Sequence, residues 1–305
     1  MQEIKDIKLG EKNSASGLME QFASTGFQAT HLAQAVSIIE QMKKEKATVF
    51  FSFTANLMAS GLRGIIKELC EKKFIDAIIT TAGSIDHDII KNFEPYFQGS
   101  FFEDDTELHK KGINRLGNIL VPTKRYVLLE KKLKPWLEEL YAEKKCVSPS
   151  EFNEFIGSKL DKNSFLYWCA KNNIPVFCPG ITDGAIGLQF YFFKQNKKDF
   201  CIDVTADMKR AADLVLNAEK TGAIILGGGI SKHHTIGLNI LRDGLDFAVY
   251  VNTAAEFDGS LSGAQTHEAK SWGKISETGK TANVNCDATI AFPIIAAVLK
   301  EKKLF

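Results

Sequence analysis

The sequence has no CxxC pair among its six cysteines and no HExxH or H-x3-H spacing among its six histidines. Without ligands at such spacings, neither a structural zinc site nor a metalloprotease helix is expected, and no metal is predicted. A formal net charge of +1 leaves no bulk field to steer nucleic acid or a membrane surface. No apolar run reaches the roughly 18–20 residues of a membrane span, and the first ten residues are polar and charged, unlike a secretory signal. Only seven prolines and three tryptophans occur in 305 residues, and no low-complexity tract or fixed-period repeat stands out. These absences predict a soluble, cytoplasmic protein with no nucleic-acid or membrane partner. Cys70, Cys146, Cys169, Cys178, Cys201 and Cys286 are then expected to be reduced, buried, space-filling thiols.

What is present describes an ordinary globular chain, 45% hydrophobic and 25% charged, with 22 phenylalanines to fill a core. The length permits one large domain, here taken as residues 1–305 with a short N-terminal arm over 1–23. Leu32, Val36, Ile39 and Met42 repeat at helical spacing. Beyond them, short apolar runs alternate with helical ones. Strands are expected at residues 48–53, 77–81, 174–178, 223–226 and 247–251. Helices are expected at 62–70 and 126–145, with a long one ending near Lys220, and an irregular section at 93–122. Such alternation predicts an α/β, Rossmann-like fold, its mainly parallel sheet covered by helices on both faces.

In that fold the ligand crevice lies beyond the carboxyl ends of the strands. The five expected strands exit into Thr54-Ala55-Asn56, Thr80-Thr81-Ala82-Gly83, Pro179-Gly180-Ile181-Thr182-Asp183-Gly184, Gly227-Gly228-Gly229 and Asn252-Thr253-Ala254. One such end would be a turn, but five together predict a large polar ligand. Small residues let backbone approach a pyrophosphate, while hydroxyls and amides supply neutral donors. The G-x-G-x-x-G spacing is absent, because Lys232 occupies its last position. The adjacent His233 and His234 suit proton transfer or hydrogen bonding better than metal ligation.

The last strand end runs on into Glu256-Phe257-Asp258-Gly259-Ser260-Leu261-Ser262-Gly263, and then into Ser271-Trp272-Gly273-Lys274-Ile275. A lysine, with a free pKa near ~10.4, becomes a nucleophile when burial disfavours its ammonium. A tryptophan two residues away could supply that aromatic wall, making Lys274 a candidate Schiff-base lysine.

Taken in order, these strand ends, with Gly112-Ile113-Asn114-Arg115-Leu116-Gly117-Asn118, Lys232-His233-His234 and Asp287-Ala288, closely resemble deoxyhypusine synthase. The resemblance runs from Ser24-Thr25-Gly26-Phe27 to the C-terminus. It implies an NAD-dependent alkylamine transferase, generally a homotetramer built as a dimer of dimers, with sites between paired subunits. Family enzymes oxidise spermidine with NAD, hold the aminobutyl group as an imine on a lysine, and pass it to a lysine of translation factor 5A. The related homospermidine synthases use putrescine as acceptor.

By position, the resemblance makes Lys274 the imine-forming residue, Glu268 the partner of a substrate ammonium and His233 a proton mover, with Trp272 packed over the alkylamine. Asn56, Thr81, Ala82, Gly83, Asp183, Gly228, Thr253, Ala254, Gly259, Ser260, Ser262, Asp287 and Ala288 would line the NAD site. The departures fall on the amine side, where Asp258 remains. Family enzymes carry acids where this chain has Leu188 and Leu261, an asparagine where it has Gly237, and two acids where it has Asp86 and His87. Each ammonium buried without an anion costs several kcal/mol, so a smaller or less cationic amine is expected. Three alternatives remain open: deoxyhypusine synthase proper, with Asp258 or Asp86 supplying the missing charge; a homospermidine synthase; and a non-catalytic NAD-binding paralogue. The segment before Ser24 is short beside the eukaryotic members' arm, which covers a neighbouring active site.

Overall fold

The computed structural model describes residues 1–10 and 14–305. Residues 11–13, within the expected N-terminal arm, lie outside the described residues. The central sheet has six strands in the order Ile275–Asn285, Leu245–Asn252, Thr221–Leu226, Thr48–Phe53, Ala77–Ile79 and Val176–Phe177. It is a parallel α/β sheet: Thr48–Phe53 pairs with Thr221–Leu226 along its whole length, and with Ala77–Ile79 through Phe50, Phe51 and Ser52. These strands form because they are apolar on both faces, as a parallel sheet covered by helices demands. Val49, Phe50, Phe51 and Phe53 are fully buried.

The described residues group into two compact units. The first comprises Met1–Phe53, Lys72–Ile79 and Lys209–Phe305. Helix Phe27–Lys44 packs on strands Leu245–Asn252 and Ile275–Asn285, and helix Ala288–Glu301 packs on that helix and on Ala15–Phe22. The N-terminal arm is docked there: Ala15 and Ser16 donate their backbone N–H groups to Glu301 at 3.1 and 2.8 Å. Helix Gly229–Leu238 packs on strands Thr48–Phe53 and Ala77–Ile79.

Two expectations change here. Ile275–Asn285 is an eleven-residue strand that the pattern does not announce. It lies at the sheet edge, where only Ile275, Ala282 and Val284 are buried and polar residues fill the other positions. The long helix expected to end near Lys220 is two helices, Ala185–Asn196 and Ala206–Leu216, separated by strand Cys201–Ile202.

The second unit comprises Thr54–Glu71 and Thr80–Met208. The section read as irregular, 93–122, contains helix Asp105–Lys110 and a three-stranded antiparallel sheet. Ile113–Leu116 and Ile119–Pro122 form a hairpin across Gly117-Asn118, with Gly117 at φ 61°. A two-residue loop holding Gly and Asn is the physical signal of such a turn. The expected helix at 126–145 spans Lys124–Glu143. Of the six cysteines, Cys70, Cys169 and Cys178 are buried, but Cys146 is exposed and Cys201 and Cys286 are half-buried. Cys146 and Cys201 fail the burial expectation because they sit on a separate two-stranded sheet, not in a core strand.

Asp86 is 3% exposed and caps helix Ala185–Asn196, accepting from Ala185 N at 2.9 Å and Ile186 N at 3.0 Å. Burial pushes its carboxyl up to about 7, against the pull of those two hydrogen bonds. A native carboxyl that keeps its proton to higher pH contributes stability that is complete below the unfolded value of 3.8 and lost as pH rises through about 7. Asp86→Asn is therefore expected to flatten the pH dependence of stability between pH 4 and 7. The difference from wild type should change by up to roughly 4 kcal/mol across that window. Urea unfolding of both proteins at a series of pH values measures it, and parallel curves would reject the assignment.

Candidate active site

The Trp-Gly-Lys spacing acquires a geometric meaning in the first unit. Helix Thr266–Ser271 ends at Trp272, and Gly273 takes φ 64°, the left-handed conformation glycine adopts without steric cost. Lys274 N donates to Ala269 O and Gly273 N to Lys270 O, both at 3.0 Å, which is the Schellman pattern of a helix stop. Leu245 N then donates to Lys274 O at 3.1 Å, fastening the lysine between the helix end and a sheet strand. The stop motif thus fixes the backbone from which the Lys274 side chain reaches the cavity.

That cavity is small, about 20 Å³, on the scale of a single water molecule. Lys274, Trp272, Glu268 and Leu261 line it together with Lys232, Tyr250, Ile236, Ala264, Gln265 and Ala269. The Lys274 ammonium lies 5.2 Å from the Trp272 ring centroid. Trp272 is 66% exposed, so the wall expected to bury the lysine is open to solvent. An exposed cation–π contact of this kind contributes about 0.5–1 kcal/mol. His233, Gly237 and Asp258 are not among the lining residues. His233 is exposed on helix Gly229–Leu238, beside Gly237, where an added Cβ would lie 4.0 Å from its Cε1. Asp258 is exposed, and the Ser260 hydroxyl, with Ser260 N donating at 2.7 Å, holds its carboxyl low. Leu188 belongs to the second unit, 58% exposed on helix Ala185–Asn196.

Lys232 and Tyr250 are lining residues that sequence reasoning did not assign to the site. Lys232 is fully buried, donates to Ala264 O at 2.7 Å and Ser262 O at 3.2 Å, and lies 4.5 Å over the Tyr250 ring. Burial brings its pKa down to about 8, with the Glu268 charge opposing the shift. The Tyr250 hydroxyl is buried without a partner, and burial raises its pKa. The one sequence signal was position: Lys232 precedes His233 in the helix opened by the glycine turn, one turn before Ile236.

Residues expected to line a nucleotide site gather on the same unit's loops. Gly229 N donates to Ser262 Oγ at 3.0 Å. A Cβ on Gly228 would lie 2.5 Å from that oxygen and 2.7 Å from Ser262 Cα, and one on Gly263 would lie 1.7 Å from Ala255 O. The turn at 227–229, the 253–255 loop and the 259–263 loop are therefore packed backbone to backbone. Ala254 N donates to Asn252 Oδ1 at 3.0 Å, and Gly259 turns at φ 70°. Asp287 caps the helix it precedes, accepting from Thr289 N at 2.6 Å, with Ala288 buried behind it.

In the second unit, a Cβ on Gly83 would lie 2.9 Å from Ala55 Cβ, and one on Gly184 would lie 2.8 Å from Ala82 Cβ. Asn56 accepts from Thr54 Oγ1 at 2.6 Å, and Asp183 is exposed. Thr81 Oγ1 is buried with no partner. These glycines let the chain's own segments pack closely, and the orphaned Thr81 hydroxyl is a feature that an external polar group would satisfy. Gly228→Ala is expected to weaken nucleotide binding at least tenfold, because the new methyl must displace Ser262 backbone at a cost of about 1–3 kcal/mol. Calorimetric titration with NAD reads the change, and unaltered affinity would remove Gly228 from the site.

The family model for deoxyhypusine synthase matches residues 17–299. The chain belongs to the deoxyhypusine synthase family. It is 46% identical over 297 residues to the "Probable deoxyhypusine synthase" of Thermoplasma acidophilum, covering 96% of each chain. To the "Deoxyhypusine synthase" of Nicotiana tabacum it is 42% identical over 320 residues, covering 92% of this chain and 84% of that one. The crystal structure of a "putative deoxyhypusine synthase" from Entamoeba histolytica superposes with a TM-score of 0.72 at 27% identity, covering 97% and 96%. Membership implies a transferase and agrees with the Rossmann-like parallel sheet. Among the described residues no helix is long and apolar enough to cross a membrane, and no group of three His, Cys, Asp or Glu side chains could hold a metal ion.

Proposed function

We propose that this deoxyhypusine synthase family member is an NAD-dependent alkylamine transferase that carries the transferred group as an imine on Lys274, and that its donor is less cationic than spermidine. One observation carries the second clause. Among the residues lining the cavity, Lys232 and Lys274 are set against a single carboxylate, Glu268. With Leu261 where the family resemblance implies an acid, a trication would meet two cations and one anion in a partly desolvated space. A short diamine or monoamine fits that balance better.

NAD, when bound, supplies the hydride acceptor. Gly228, Thr253, Ala254, Gly259, Ser260, Ser262, Asp287 and Ala288, with Asn56, Thr81, Ala82, Gly83 and Asp183, are the residues assigned to hold it. Lys274, fastened by the helix stop, attacks the oxidised carbon and releases the leaving amine. Glu268 holds an ammonium end, Trp272 stacks over the alkyl chain, and His233 moves protons. The acceptor would be a translation factor 5A-type lysine, and the assembly a homotetramer acting in the cytoplasm.

The names of the relatives favour a second reading, deoxyhypusine synthase proper acting on spermidine. Asp86 does not supply the missing charge in that case, because it is buried against Ala185 and Ile186. Borohydride trapping separates the readings. The protein is incubated with NAD and spermidine, putrescine, agmatine or homospermidine, reduced, and examined by intact mass. An adduct on Lys274 with a smaller amine supports the first reading. Undiminished spermidine turnover with modification of a translation factor 5A lysine would replace it with the second, and no adduct with any amine would remove the imine.

A further inference from the structure

The second unit carries a two-stranded parallel sheet that sets Cys146 directly opposite Cys201, and Val147 opposite Ile202. The pairing is held by Cys201 N donating to Lys145 O at 2.8 Å and Asp203 N to Val147 O at 2.9 Å. Paired residues on neighbouring strands project to the same face, and the strands lie about 4.7–4.9 Å apart. A disulfide spans Cα separations of about 4.4–6.8 Å, so the strand spacing already satisfies it. Cys146 is exposed and Cys201 half-buried. An oxidant can therefore reach one sulfur with its resolving partner in place.

We propose that Cys146 and Cys201 are a modification site, closing into a reversible disulfide in the presence of a peroxide. The Cys146 thiolate attacks the peroxide oxygen and breaks the O–O bond, giving a sulfenic acid and one water. The Cys201 sulfur then attacks the sulfenic sulfur, forms the S–S bond and expels a second water. Two thiols lose two electrons and two protons, and hydrogen peroxide is reduced to two waters. The neighbouring Cys201 sulfur, burial and Asp203 hold the Cys146 thiol up to about 11, with Lys144 opposing. Thiolate is consequently scarce at neutral pH, and the closure is slow there. The bridge would tie together the two ends of a segment that includes helix Ala185–Asn196, with Asp183 just before it and Leu188 on it.

A second thiol pair competes. Cys70 and Cys169 lie with their sulfurs 3.5 Å apart, but both are buried, and burial raises the Cys169 thiol well above its usual range. An oxidant in solution reaches that pair only when the surrounding helices open.

The test treats the reduced full-length protein with hydrogen peroxide, alkylates it, and maps disulfides by mass spectrometry without reduction. The expected result is one cross-linked peptide joining Cys146 to Cys201, an intact mass lower by two hydrogen atoms, and reversal by dithiothreitol. Cys201→Ser is expected to stop at a Cys146 sulfenic acid captured by dimedone. Six thiols still alkylatable after treatment, a cross-link confined to Cys70 and Cys169, or unlinked sulfinic acid at Cys146 of the unsubstituted protein would each overturn the proposal.

Discussion

Lys274→Ala is expected to lower amine-dependent turnover by about a thousandfold or more and to abolish the borohydride-trapped adduct. NAD affinity should stay within about twofold, since Lys274 lines the cavity and is not one of the residues assigned to hold NAD. The structural cost should be small: Lys274 is held by its own backbone N–H and C=O, which alanine retains. Lys274→Arg sharpens the test. Arginine preserves charge and length but stays protonated and cannot form the imine, so it should be as inactive as alanine. Single-turnover assays with NADH absorbance read the chemistry, and a melting curve reads the fold. Turnover by Lys274→Ala above a tenth of wild type would place the nucleophile on another group, and the buried Lys232 amine, with a pKa near 8, would be the first to examine.

Which parts of this site were legible in the sequence follows from where their physics resides. The Thr48–Phe53 and Thr221–Leu226 strands are local apolar runs, so their burial pattern is written in consecutive residues. The glycine turn is likewise local and falls where the strand-end rule places a ligand, whereas the Trp-Gly-Lys motif, local too, precedes strand Ile275–Asn285 and sits at its amino end. Lys232 was not legible. Nothing in its neighbours shows a lysine buried against Tyr250 with its ammonium on two carbonyl oxygens from a loop thirty residues on. The edge strand Ile275–Asn285 was hidden for the opposite reason: its polar residues resemble a loop until Leu245–Asn252 pairs with them. Asp86 shows the limit of matching residue types, since a spare acid in the sequence proves to be spent on capping a helix.

Leu261→Asp is expected to increase the use of spermidine by about tenfold to a hundredfold, seen mainly as a lower KM. A carboxylate hydrogen-bonded to an ammonium in a partly buried site contributes about 1.5–3 kcal/mol. The position tolerates the change because Leu261 is half-buried on a loop flanked by Ser260 and Ser262, and two lysines already line the cavity. The new charge would therefore bring the anions lining the cavity to two, equal to Lys232 and Lys274, and remove the excess positive charge a polyamine would meet. Leu261→Asn separates charge from shape: it adds polarity without the anion and should give little of the gain. The gain should also shrink as salt is raised, since a site this open is screened. A carboxylate captured by Lys274 instead would slow imine formation and raise the KM for every amine. Equal spermidine kinetics in wild type, Leu261→Asp and Leu261→Asn would mean that this position does not read substrate charge, and the proposal of a less cationic donor would fall with it.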